Sequence, residues 1–275
     1  MADVRPASVA GSWYPAHPHH LAGEVDRYLA HADVEPIPGT VRAIVAPHAG
    51  LMYSGPVAAF AYKVARAHDY RTIVMVGPSH FVAFRGVSIW PRGAWETPFG
   101  PVVIDEDLAS AIAAESADVV EQAAAHGREH SLEMQMPFVA HLLSGSRIVP
   151  LVMGYQTRAT AEALGDALAR AIGQRAAGDV LLVASSDLSH YEDARTASAM
   201  DDIVLRRVEA MDAEGLMDDL EREPRHACGG GPMVAVLRAA RKLGAEHARV
   251  LRYADSGDVS GDKSAVVGYM AAAIW

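Results

Sequence analysis

The chain has 275 residues, about half of them hydrophobic, and a formal net charge of -10. That acidity repels phosphate backbones and anionic lipid, and no Lys/Arg run offsets it, which argues against nucleic acid and membrane surfaces as partners. A single cysteine, Cys228, excludes an intrachain disulfide framework and fits a reducing compartment; with no apolar export signal at the start and no run of membrane length, the expected location is cytoplasmic.

In chain order, His17, His19 and His20 read as a solvated turn ahead of an amphipathic stretch over 20–31. A short β-branched run, Arg42–Ala46, precedes a helical pattern over 55–68, and a second run, Thr72–Val76, follows. Residues Val87 to Ile104, with Trp90, Trp95 and the turn Pro98-Phe99-Gly100, read as a hairpin-like excursion. Helical patterns over 106–115, 159–173, 197–211 and 231–243 then alternate with the runs Arg147–Val152 and Val180–Ala184, and the chain closes on Val250–Tyr253 and Ala265–Tyr269. Strands without polar alternation are buried on both faces, and strand–helix alternation implies parallel pairing. The expected fold is a three-layer α/β/α arrangement with a mainly parallel central sheet. With no repeat, linker or break in composition, 1–275 is read as a single domain.

Three of these strands run into small turns that carry a histidine: Pro47-His48-Ala49-Gly50, Gly77-Pro78-Ser79-His80, and Ser185-Ser186-Asp187-Leu188-Ser189-His190. In parallel α/β sheets ligands bind at the carboxyl ends of the strands, so the three histidines are expected to converge. Cys228 sits in His226-Ala227-Cys228-Gly229-Gly230-Gly231-Pro232, just before a helical run. A helix N-terminus lowers a thiol pKa and favours thiolate, a metal ligand, and glycines let backbone approach a bound group closely. The competing reading of Cys228 is a small buried hydrophobe.

His126-Gly127-Arg128-Glu129-His130 matches the H-x-x-E-H pattern of inverted zinc proteases, in which two histidines on one helical face hold zinc beside a glutamate base. Gly127 weakens a helix there and no partner glutamate is identifiable downstream. The preferred reading is a polar cluster of Glu129, His130 and Glu133 at a helix start, facing the same cleft. Met134 and Met136 read as core filler rather than copper ligands.

The segments VRPASVAGSWYP, APHAGLMYSGPVAA, VGPSH, WETPFG, AHGREHSLEMQMPF, SSDLSHY, ACGGGP and YADSGDVSGDKSAVVGY, in order from residue 4 to 269, are similar to those of the Memo family, also called AmmeMemoRadiSam system protein B. The resemblance implies a fold like that of class III extradiol dioxygenases of the LigB type. It also implies a metal pocket formed by His48, His80 and Cys228, with Asp187 and His190 lining it. Leu51 departs from the family, which commonly has an aromatic residue after PHAG. True dioxygenases hold Fe(II) with two histidines and a carboxylate; a thiolate in the third place shifts preference toward Cu(I) or Zn and changes the potential of iron. The expectation is a non-haem iron enzyme acting on a small, phenolic substrate, with Fe(II) as cofactor, His190 as acid/base and Asp187 fixing its tautomer. Two rivals stand beside it. One is a non-catalytic iron/copper-binding or partner-binding protein, since animal members are associated with signalling and metal handling. The other is a zinc hydrolase. Bacterial family genes often neighbour radical-SAM and AMMECR-type genes, which implies a shared pathway.

Overall fold

The structure, a computed structural model, describes residues 4–275. Its strands are β1 (Val4–Arg5), β2 (Ala43–Ala46), β3 (Thr72–Pro78), β4 (Val87–Ile89), β5 (Ala94–Trp95), β6 (Val102–Val103), β7 (Val119–Glu121), β8 (Arg147–Met153), β9 (Val180–Ser185), β10 (His190–Glu192), β11 (Ala248–Asp255) and β12 (Val266–Ile274). The helices are α1 (Pro18–His31), α2 (Leu51–Ala65), α3 (Glu106–Glu115), α4 (Ala123–Gly127), α5 (Met136–Leu142), α6 (Arg158–Ile172), α7 (Ala194–Glu209), α8 (Ala213–Arg222), α9 (Gly230–Lys242) and α10 (Gly257–Ser260).

Nine strands form the main sheet in the order β10-β12-β2-β9-β3-β8-β4-β7, with β11 also paired to β12. Its middle, β2-β9-β3-β8, is parallel throughout. Ile73, Val74, Met75 and Val76 of β3 are fully buried, which is why that run shows no polar alternation. Burying a side chain of this size contributes about 1.5–3 kcal/mol. Helices α1, α2 and α5 cover one face, while α3, α6, α8 and α9 cover the other. In α6 the buried residues Ala161, Leu164, Leu168, Ala171 and Ile172 fall at helical spacing, and Thr157 caps its start by accepting from the Thr160 N–H.

The flanks correct the expectation of a mainly parallel sheet, which is mixed. β12 pairs antiparallel with β2, β10 and β11, and β4 pairs antiparallel with β8. Only residues 256–265 separate β11 from β12, too few for the crossover that parallel strands need, so the two close as a hairpin. The Val87–Ile104 excursion also divides. β4 joins the main sheet, while β5 and β6 pair with each other and with β1 in a separate small sheet. That small sheet ties the N-terminal segment to the excursion, and Arg5 within it reaches α4 and the loop that follows. Arg5, 1% exposed, donates to the His126 and Glu129 carbonyls and to the Glu133 carboxylate at 2.7 Å, with its guanidinium 4.3 Å from the Trp95 ring centre. Among the described residues no helix is long and apolar enough to cross a membrane.

Candidate metal centre

β2, β3 and β9 all end at the same edge of the sheet, so the turns that follow them meet there. His48 lies between β2 and α2, His80 just beyond β3, and Cys228 two residues ahead of α9. One donor atom from each of His48, His80 and Cys228 lies within 4.8 Å of the others. The His48 and His80 ring centres are 5.3 Å apart, and His48 Nε2 is 3.2 Å from Cys228 Sγ. The residues fit a metal ion. Two imidazoles and a sulfur converge from distant segments, and each imidazole has its other nitrogen engaged by a protein oxygen, as metal-bound histidines do.

His48 is buried, and burial together with the neighbouring His80 and His130 holds its pKa well below the ordinary range, so the ring is neutral. Its Nδ1 lies 2.9 Å from Ser185 Oγ. His80 is partly exposed, with Nδ1 2.9 Å from Glu129 Oε1, and its backbone N–H donates to Glu129 Oε2 at 2.6 Å. Burial works against ionisation of Glu129, but the hydrogen bonds from His80 and from the Ser131 N–H prevail and hold its pKa at about 2. A carboxylate therefore accepts His80 Nδ1–H, and Nε2 is left for the ion. Asp187, just beyond β9, joins the turn of His48 to the segment of Cys228. Its Oδ1 accepts from the His48 N–H at 2.7 Å and the Ala49 N–H at 3.3 Å, its own N–H donates to Cys228 Sγ at 3.3 Å, and its carbonyl accepts from the Cys228 N–H.

Several expectations change here. Asp187 does not hold the His190 ring: His190 Nδ1 donates to the Leu188 carbonyl at 2.8 Å, so a backbone oxygen fixes that tautomer. Burial raises the Asp187 pKa, against the hydrogen bonds from His48 and Ala49 and the nearby His190. The Cys228 thiol is pushed up, not down, first by burial and then by the Asp187 carboxylate. Without a metal it is a thiol placed to donate to His48 Nε2; an ion must displace that proton to bind the sulfur. The glycine run serves packing rather than ligand approach. A Cβ on Gly229 would stand 2.4 Å from the Ser185 carbonyl oxygen, and the Gly229 and Gly231 N–H groups are already taken by Ser186 Oγ and Gln156 Oε1.

The H-x-x-E-H segment does not form a ligand set. α4 stops at Gly127, and His126 is fully buried against Trp90 and Trp95, with Nε2–H donating to the Ser88 carbonyl and its pKa lowered to about 3 by burial and then by Arg5. Glu129 and His130 do face the cleft. His130 stacks on His80 with ring centres 4.7 Å apart and has Trp13 on another side at 4.4 Å. His80, Glu129 and His130 form a second close group, but the Glu129 oxygens are spent on N–H donors. Glu133 points elsewhere, accepting from Arg5, the Ser8 and Val9 N–H groups and the Tyr14 hydroxyl. Met134 and Met136 are core residues, and His17, His19 and His20 are exposed at the start of α1. Ser185, Trp13 and Leu188 were not anticipated. Ser185 had one signal, a hydroxyl on the last residue of an otherwise apolar strand.

The fold and this cleft define an α/β protein with a candidate two-histidine, one-cysteine metal centre at the carboxyl edge of its parallel strands. The chain belongs to the Memo family: the family model described as "Memo-like protein" matches residues 5–273. It is 40% identical to a MEMO1 family protein of Methanothermobacter thermautotrophicus, over 97% of this chain and 98% of that one. It is 37% identical to another of Methanocaldococcus jannaschii, over the full length of both. Among solved structures, an uncharacterised protein of Escherichia coli K12 shares the fold, with a TM-score of 0.55 at 15% identity over 84% of this chain and 99% of that one.

Proposed function

We propose that this protein is a non-haem iron oxidoreductase of extradiol-dioxygenase type, acting on a small phenolic substrate. The observation that carries the reading is the preset cleft. Two imidazoles present Nε2 to the cleft, a thiol stands 3.2 Å from one of them, and His190 lies close enough to influence His48 and Asp187. Iron held there would bind substrate and O₂ and supply the redox chemistry. The protein's own part is acid/base and positional. With Nδ1–H tied to the Leu188 carbonyl, His190 has Nε2 free to take a proton from a substrate hydroxyl. Asp187 keeps the turns bearing His48 and Cys228 in register. Trp13 and Phe81, packed around His130, give the mouth flat apolar walls suited to a ring.

The test is anaerobic purification, metal quantification, and O₂ uptake with a panel of phenols and catechols. Stoichiometric iron, turnover in the wild type, and retained metal without turnover in His190→Ala support the reading. Iron-free protein and no O₂ uptake with any substrate sink it. A second reading, a non-catalytic iron/copper-binding protein, is favoured by the sulfur of Cys228, a soft ligand suited to Cu(I). Tight copper binding with no turnover selects it.

A further inference from the structure

Behind His48 lies a chain of buried polar groups: Ser185, Gln135 and Tyr62 are each fully buried within apolar surroundings. Gln135 Nε2 is 2.7 Å from Ser185 Oγ and 3.1 Å from the Pro47 carbonyl, and its Oε1 accepts from the Tyr62 hydroxyl at 2.9 Å. Ser185 Oγ is also 2.6 Å from the Ser131 carbonyl and 2.9 Å from His48 Nδ1.

Two backbone carbonyls, which can only accept, fix every hydrogen in this network. The Pro47 carbonyl requires an N–H from Gln135, which sets the amide orientation. The Ser131 carbonyl requires the hydroxyl hydrogen of Ser185, the only one that serine has. The remaining Ser185 lone pairs then accept from Gln135 on one side and from His48 on the other. His48 must therefore carry its proton on Nδ1, and Nε2 is left as a lone pair toward Cys228 Sγ.

From this we infer that Ser185 is a positioning residue for the metal centre: with its hydroxyl hydrogen committed to the Ser131 carbonyl it can only accept from the His48 ring, and so it holds His48 in the tautomer that offers Nε2 as a ligand. The inference rests on the proposed metal site only for its consequence, since the tautomer is a property of the metal-free protein. The arrangement is also asymmetric. His80 is backed by an anion, Glu129, whereas His48 is backed by neutral groups, so proton placement there depends on the hydrogen-bond directions alone.

The test is ¹⁵N–¹H long-range correlation of the His48 ring in metal-free protein, paired with Fe(II) and Zn(II) affinities. Wild type should show protonation at Nδ1 only. Ser185→Ala removes the Nδ1–H acceptor, so Nε2–H should become populated and affinity should fall about tenfold to a hundredfold. Tyr62→Phe leaves both Gln135 N–H donations in place and should keep the wild-type tautomer. Should Ser185→Ala fail to fold, Ser185→Cys, whose sulfur is a weaker acceptor, should show the same loss. An unchanged Nδ1–H signal with affinity within twofold of wild type in the folded Ser185 variant overturns the assignment. Wild type that binds neither metal while retaining the Nδ1–H signal would refute the proposed function and leave the tautomer assignment standing.

Discussion

Replacing Glu129 by glutamine keeps the side chain's shape and removes its charge, which isolates what the carboxylate does. Three N–H donors converge on its two oxygens: His80 Nδ1 at 2.9 Å, the His80 N–H at 2.6 Å and the Ser131 N–H at 2.8 Å. In either orientation, the NH₂ of glutamine must face a backbone N–H, leaving buried donors opposed. The magnitude follows from the titration. Glu129 is 2% exposed, and a fall in its pKa from 4.5 to about 2 is, at about 1.4 kcal/mol for each tenfold, about 3 kcal/mol of stability. The sign is that of a depressed carboxylate. The stabilisation is fully present above pH 4.5 and is lost as pH falls toward 2. Urea denaturation of metal-free protein at pH 7 should therefore place Glu129→Gln about 3 kcal/mol below wild type, with the gap narrowing between pH 5 and pH 3. A variant within 0.5 kcal/mol of wild type at about pH 7, or a gap that does not move with pH, would refute the assignment of Glu129 as the anion behind His80.

Cys228→Ser should leave the melting temperature of the metal-free protein nearly unchanged and lower soft-metal content at least tenfold, read by elemental analysis. Because the Cys228 thiol is pushed up, metal uptake should release its proton; calorimetry in buffers of differing ionisation enthalpy should show this release, and affinity should rise with pH through the neutral range. Arg5→Leu strands Glu133 as a buried, unpaired charge and should cost about 3–5 kcal/mol in urea denaturation. Gly229→Ala drives a methyl into the Ser185 carbonyl and should lower stability by about 1–3 kcal/mol and metal affinity together, because Cys228 is adjacent.

The parts of the site visible in the sequence were those attached to regular elements. His48 and His80 announce themselves by following apolar strands, and Cys228 by preceding a helix. What escaped was settled by backbone atoms or by irregular chain. The Leu188 carbonyl that holds His190 leaves no trace in residue identity, so a carboxylate three positions away looked like the natural partner. The loop over 128–133 has no period, so its sequence could gather Glu129, His130 and Glu133 but not separate the two that enter the cleft from the one that anchors the N-terminal segment. Gln135 sits in an apolar stretch where nothing marks it as a network member. The antiparallel flank was hidden because an apolar run looks the same in either direction; only the short connection over 256–265 distinguishes them. Helix α8 did carry a signal that went unused: Asp212 as N-cap, then Leu216, Met217 and Leu220 on one side.

The end of β9 supplies atoms to two ligand segments at once, through Ser185 to the His48 ring and through Asp187 to the His48 backbone and the Cys228 sulfur. A fully buried strand thus serves as the jig on which the donor atoms are mounted. A metal loaded there, as proposed, would demand little rearrangement of the chain, so the choice among iron, copper and zinc would fall to ligand chemistry and metal supply rather than to folding.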